Sequence, residues 1–365
     1  MAIATTKTAL TTIMNWMTFT DDSKEQLKIV EGRLFQSCEV SYEAKYVPVR
    51  FKRGEVYTVT VRPREAENLN GEAIVFIPGL GAGVAMFTAN FNSCAKNHAV
   101  HSFDPLGFGR SSRSRFSDDN AIAELEMVEV MEDWRKAMGI EKMYIIGHAF
   151  GGYLASAYAL ENPSRVAHLI LVDPWGFAEK VETTEKLNTW LQIKPYAWMS
   201  FLGGVAGYFN PFSPMRWMGP YAPAIVKKLR PDLLLRFPGL HDYDIYKYVY
   251  YLNLPNPTGE TAFMNMTLPV GWAKRPMIKR FNGIDKNVGV SFIYGSKSWI
   301  DPGPAIDIQS TRENAYVDIK IVRGAGTHVY ADDPAAFNEI VSDVVEGRLS
   351  NPSNDFEIEE CCHSD

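Results

Sequence analysis

Residues that could form an acyl-transfer site occur along this chain in a fixed order, and the central one is missing. The stretch Tyr144-Ile145-Ile146-Gly147-His148-Ala149-Phe150-Gly151-Gly152 reads as a buried strand, a tight glycine-flanked turn and the start of a helix. That is the layout in which Gly-x-Ser-x-Gly presents a nucleophilic serine on a strained turn. Here the central position is Ala149, and a methyl group cannot attack a carbonyl. Losing the serine of such a site costs on the order of a million-fold in turnover. Ser156 is expected to be buried two turns down the following helix, and Cys94 has no evident base beside it.

The remaining parts of such a site can be assigned. The loop Ile77-Pro78-Gly79-Leu80-Gly81-Ala82-Gly83 follows a strand. The amides around Gly79, Leu80 and Gly81, with that of Phe150 after the turn, are candidate donors to an oxyanion. Pro78 lacks an N–H and fixes its own φ, and a plain glycine-rich turn is the alternative. Asp301 follows a strand at 290–294 and could orient an imidazole; a solvated loop carboxylate is its bland alternative. His328, in Gly324-Ala325-Gly326-Thr327-His328, supplies the imidazole. His328 and Asp333 also have the His-x4-Asp spacing associated with glycerolipid acyltransferases. In that chemistry a lipid hydroxyl attacks a thioester with histidine as general base, so no serine is needed.

The elements that must position these residues follow from hydropathy. Segments 57–61, 73–77, 99–103, 143–146, 169–172, 290–294 and 317–322 read as strands, most of them nearly continuous apolar runs. Such runs suit parallel strands buried on both faces. Helical periodicity at 121–138, 152–161 and 335–346 fills the gaps, which predicts an α/β fold with a mostly parallel central sheet. Between about 176 and 275 the alternation stops, and aromatic residues accumulate. We divide the chain into an N-terminal arm (1–45), a first core segment (46–175), an inserted helical, aromatic-rich cap (176–275), a second core segment (276–348) and an acidic tail (349–365) read as disordered. Trp198, Phe201, Phe209 and Trp217 in the cap, and Trp16 in the arm, are candidate lipid or membrane contacts; filling the cap's own core is the alternative. Prolines and glycines interrupt any transmembrane span there. The tyrosines 243, 246, 248, 250 and 251 suit a half-wet surface.

A net charge of −6 without a basic block argues against a nucleic-acid partner. Cys38, Cys94, Cys361 and Cys362 form neither a metal-ligand spacing nor a disulfide framework, so we read them as reduced thiols. No metal or bound cofactor is called for.

Several segments together resemble one α/β-hydrolase subfamily, over about residues 45–348. They are Phe103-Asp104-Pro105-Leu106-Gly107-Phe108-Gly109-Arg110-Ser111-Ser112, Asp173-Pro174-Trp175-Gly176-Phe177, Thr258-Gly259-Glu260-Thr261-Ala262-Phe263 and Gly271-Trp272-Ala273-Lys274-Arg275-Pro276-Met277. The subfamily contains the lipid-droplet coactivator of adipose triglyceride lipase and an N-acyl-phospholipid lipase. Its coactivators carry a non-nucleophile at the turn, as Ala149 is here. Its histidine loop reads Gly-Ala-Gly-His, whereas this chain has Thr327 at that position and His328 one residue later. Adjacent Cα atoms lie about 3.8 Å apart, more than a hydrogen bond tolerates.

The resemblance implies an α/β-hydrolase fold and a catalytically impaired lipid-homeostasis protein. It would activate a triglyceride lipase of the adipose type at a lipid-droplet surface or its coat protein. Cytoplasmic and droplet localisation follows from it, with mitochondrial association also compatible. The alternatives are a lysophosphatidic acid acyltransferase, with acyl-CoA as co-substrate only, and a residual carboxylic ester hydrolase.

Overall fold

Residues 20–36, 38–62, 71–180, 210–237, 240–241 and 243–349 are described by the computed structural model. In chain order the elements begin with α1 (Asp21–Phe35), β1 (Tyr42–Val49), β2 (Gly54–Val61), β3 (Ala73–Ile77), α2 (Thr88–Cys94) and β4 (Val100–Phe103). Then come α3 (Asn120–Ala137), β5 (Met143–His148), α4 (Phe150–Glu161) and β6 (Val166–Val172). The cap contributes α5 (Ser213–Met218), α6 (Ala222–Leu229), α7 (Asp232–Leu235), α8 (Asp244–Asn253) and α9 (Thr258–Met266). The chain closes with β7 (Gly289–Gly295), α10 (Gly303–Thr311), β8 (Val317–Val322), α11 (Val329–Asp332) and α12 (Pro334–Val345).

The strands form one sheet in the order β1-β2-β4-β3-β5-β6-β7-β8. β1 pairs antiparallel with β2, and β2 antiparallel with β4, while β3 onward run parallel. Each parallel strand sends alternate side chains to opposite faces. Val75 and Ile77 face a core shared with Trp134 of α3 and Tyr158 of α4, and Leu169 and Leu171 join them. Ile74, Phe76, Ile170 and Val172 face the other core, with Phe91 of α2, Phe337 of α12 and Ile245 of α8. Burial on both faces explains why these strands read as unbroken apolar runs.

All seven expected strands are present, and the three expected helices fall within two residues of their predicted limits. The structure adds β1 and α1. Leu27, Val30 and Leu34 of α1 are buried against the second core, so this part of the arm is integral to the fold. Tyr246, Tyr248 and Tyr250 correct the half-wet reading of the cap tyrosines. All three are buried, because α8 lies between α1 and the loop after β3. Tyr243 alone of that cluster is strongly exposed, at 41%.

Candidate functional site: a nucleophile elbow without its nucleophile

The turn between β5 and α4 forces Ala149 to φ 47°, ψ −114°, a region that side-chain-bearing residues avoid. Four backbone hydrogen bonds hold it there. Its N–H donates to Val172 O (3.0 Å), and its carbonyl accepts from Gly152, Tyr153 and Trp175 at 3.0, 3.3 and 3.1 Å. The flanking glycines are steric requirements. A Cβ on Gly147 would lie 2.5 Å from Gly151 O, and one on Gly151 would lie 2.2 Å from Ile77 O. The strained geometry of a nucleophile elbow therefore persists at a position with no reactive group.

The loop after β3 lies against the elbow. A Cβ on Gly79 would come within 3.1 Å of the Ala149 methyl. Phe150 opens α4, where the first helical N–H groups have no intrahelical acceptor. The Phe150 side chain is buried, surrounded by Phe263 at 5.0 Å, Phe108 at 5.8 Å and Trp175 at 6.0 Å between ring centroids. Three of the four segments that carried the family resemblance thus converge on Phe150 at the elbow. Two further backbone contacts link the segments: Gly259 N–H donates to Gly107 O at 3.1 Å, and Met277 N–H to Gly176 O at 2.8 Å.

The cap covers this loop. Phe212 sits over Gly81, where an added Cβ would fall 2.3 Å from the ring's Cζ. Asn253 at the end of α8 donates to Gly81 O at 2.9 Å, and Ala85 N–H donates to the Tyr248 hydroxyl at 3.2 Å. The buried Arg216–Glu260 pair ties α5 to α9, with a second contact of 3.0 Å. Sequence reasoning missed Phe212, Asn253 and Tyr248, because none of them lies in a recognisable motif.

The structure does not join the candidate acid and base. Asp301 accepts from Gly303 N–H at 2.9 Å, within its own turn. The Nδ1 of His328 lies 3.0 Å from the Thr327 hydroxyl, and its ring packs 5.0 Å from that of His148. No hydrogen bond between Asp301 and His328 occurs. Only part of the His328 ring reaches solvent, and the surrounding protein, together with His148 and Arg236, pushes its pKa well below the usual histidine value. Asp333 is likewise occupied elsewhere: its carboxylate caps α12 by accepting from Ala336 N–H at 3.0 Å. The His-x4-Asp spacing therefore corresponds to a helical turn and a cap rather than a dyad. Asp332, one residue earlier, accepts from Gly326 N–H at 2.8 Å and pairs with Arg236 of the cap.

Alternative nucleophiles are disarmed. Ser156 is fully buried and donates to Gly152 O at 2.8 Å. Burial pushes the Cys94 thiol up to about 12. A feature overlooked in the sequence is Asp173, at the end of β6. It is fully buried at φ 46°, and Ser298 donates to its Oδ2. Burial raises its carboxyl to about 7. Among the described residues, no cluster of His, Cys, Asp or Glu is arranged to hold a metal ion, and no helix is long and apolar enough to cross a membrane. Of the candidate lipid contacts, Trp217 is 64% exposed on the cap, while Trp16, Trp198, Phe201 and Phe209 lie outside the described residues.

Comparison with known proteins places this geometry in context. A family model for the alpha/beta hydrolase fold matches residues 72–364. The chain is 99% identical over 365 residues to abhydrolase domain-containing protein lid-1 of Caenorhabditis elegans, covering 100% of both chains. It is 39% identical over 323 residues to the human (lyso)-N-acylphosphatidylethanolamine lipase, covering 88% of this chain and 92% of that one. It is also 39% identical over 326 residues to the human 1-acylglycerol-3-phosphate O-acyltransferase ABHD5, covering 88% and 90%. Among solved structures, a membrane phospholipase A superposes with TM-score 0.61 at 16% identity, covering 96% of this chain and 100% of the other. Carboxylesterase CesB of Bacillus subtilis gives 0.60 at 15%, covering 90% and 100%. At such identities the structures speak for the fold alone.

Proposed function

Because the chain belongs to the α/β-hydrolase family, we propose that it uses the hydrolase shape for binding rather than for ester hydrolysis. It acts as a lipid-homeostasis protein that engages a triglyceride lipase of the adipose type at the surface of cytoplasmic lipid droplets. There it raises the lipase's activity and so promotes triglyceride breakdown. The observation that carries the reading is the strained elbow holding a methyl group, Ala149. Around it the acid and the histidine are turned to other partners. Relatives named for lipid chemistry support a lipid setting. The test is purified protein added to its cognate lipase on emulsified triglyceride. Stimulation without ester turnover by the protein alone is expected; absence of stimulation would remove the proposal.

A lysophosphatidic acid acyltransferase, with acyl-CoA as co-substrate, is the second reading. The name of the ABHD5 relative favours it, while the helix-capping role of Asp333 counts against it. His328→Ala should abolish acyl transfer from acyl-CoA to lysophosphatidate if this reading is correct, and unchanged transfer would exclude it.

A further inference from the structure

The outer face of the cap carries large apolar side chains that are exposed. Tyr221, Ile225 and Leu229 recur every fourth residue along α6 and its preceding turn, a spacing that stacks side chains on one helix face. They point outward, with Tyr221 69% and Leu229 72% exposed. Trp217, on the helix before, is also exposed, as is Leu235 beyond at 84%. The opposite side of α6 anchors it: Ala222 is fully buried beside Met215, Tyr250 and Leu254. A rigid helix thus presents a row of large apolar side chains to the outside.

Charge identifies the kind of surface that fits. The chain carries a net −6, yet residues 210–231 contain no aspartate or glutamate, the next acid being Asp232. Lys227, Lys228 and Arg230 lie within or next to the apolar row, Arg230 being paired with Asp232 at 2.9 Å. Lys228 is exposed, and Lys227 reaches over the Tyr243 ring at 4.5 Å from its centroid. Aromatic and aliphatic side chains on one short helix and its preceding turn, with Lys227 and Lys228 and no acid among them, match the chemistry of the boundary between phospholipid headgroups and acyl chains. No described helix can span a bilayer, so the contact would be peripheral.

We propose that the Tyr221–Ile225–Leu229 face of the cap docks on an anionic phospholipid surface. The inference rests on the lipid-surface part of the function proposed above. The apolar row inserts to headgroup depth, and Lys228 adds the preference for negative charge.

The test is co-flotation of the full-length protein with phosphatidylcholine vesicles, with and without phosphatidylserine. Wild-type protein should float, and phosphatidylserine should increase the bound fraction. The double variant Tyr221→Ser with Leu229→Ser should bind roughly tenfold or more weakly, with an unchanged thermal midpoint because both side chains are exposed. Lys228→Glu should weaken only the phosphatidylserine-dependent part, as should added salt. A double variant that floats like wild type overturns the proposal, as does wild-type protein that ignores both vesicles. Lipase stimulation is measured in parallel. A double variant that keeps vesicle binding but loses stimulation would make the face a protein contact and overturn the lipid assignment. Wild-type protein that binds vesicles through this face without stimulating the lipase would sustain the docking site and reject the proposed function.

Discussion

The Nε2 of His148 donates to the backbone carbonyl of Thr327 across 2.9 Å. This bond joins the elbow to the loop that carries His328, through the residue directly before that histidine. It fixes the tautomer, since a carbonyl can only accept, and so leaves Nδ1 as a lone-pair acceptor. That Nδ1 is buried without a partner. His148 is therefore held neutral, and burial depresses its pKa to about 4.

That burial predicts an acid sensitivity with a definite sign. A histidine whose folded pKa lies below its unfolded value stabilises fully above about 6.5 and loses that contribution as pH falls toward 4. His101 and His168 behave alike, both held near 4 by burial. Asp104 and Asp173, raised to about 7, act oppositely and favour the fold as pH falls below 7. The two trends offset in the wild type, so the expectation concerns a difference. Between pH 7 and pH 5, wild-type protein should lose about 2 kcal/mol more than His148→Gln. Urea unfolding at both pH values measures it, and parallel losses would show that His148 titrates normally in the fold.

Restoring the nucleophile alone should not restore chemistry. Ala149→Ser would place a hydroxyl on the strained turn, but Asp301 and His328 are not hydrogen-bonded to each other. Hydrolysis of p-nitrophenyl esters should stay at background. Adding Thr327→His puts an imidazole at the position that the resemblance implies for it, and the double variant should exceed Ala149→Ser by roughly tenfold or more. Full activity from Ala149→Ser alone would mean that His328 reaches the site after all.

Much of this fold was legible because parallel strands buried on both faces leave continuous apolar runs. β1 escaped for the converse reason. It is an edge strand with only Val47 and Val49 buried, and Pro48 interrupts its pattern. The burial of the cap tyrosines left no sign in the sequence because α1, the helix that covers them, falls in the segment read as an N-terminal arm. In the site, the glycine frame and Ala149 were readable from spacing, since steric demands leave a fixed signature. Asp333 misled because a helix N-cap and an acid partner use the same residue type. Phe212 left no signature at all, because a ring resting on a glycine is a tertiary contact without a motif.

The methyl group of Ala149 carries a conformational cost without any chemical return. Positive φ at a residue with a Cβ costs on the order of 1–3 kcal/mol. Ala149→Gly removes that strain and gives back roughly 0.4–1 kcal/mol through a more flexible unfolded chain. The variant should be more stable by about 1 kcal/mol, and Ala149→Val should be less stable than wild type. Denaturant midpoints decide the matter, and a destabilised Ala149→Gly would show that the four backbone hydrogen bonds hold the turn without strain.

Phe212 and Gly81 provide the most direct probe of whether the cap is seated on the oxyanion loop. Gly81 has φ +77°, so Gly81→Ala suffers both a backbone penalty and an overlap with the Phe212 ring. The first is local, on the order of 1–2 kcal/mol, and the second depends on the cap. Phe212→Ala removes only the second. In a double-mutant cycle, the cost of Gly81→Ala should therefore drop by about 1 kcal/mol in the Phe212→Ala background without vanishing. Urea unfolding of the four proteins provides the measurement. Strict additivity would mean that Phe212 does not rest on Gly81 in solution, and the elbow would then lie open beneath a lifted cap.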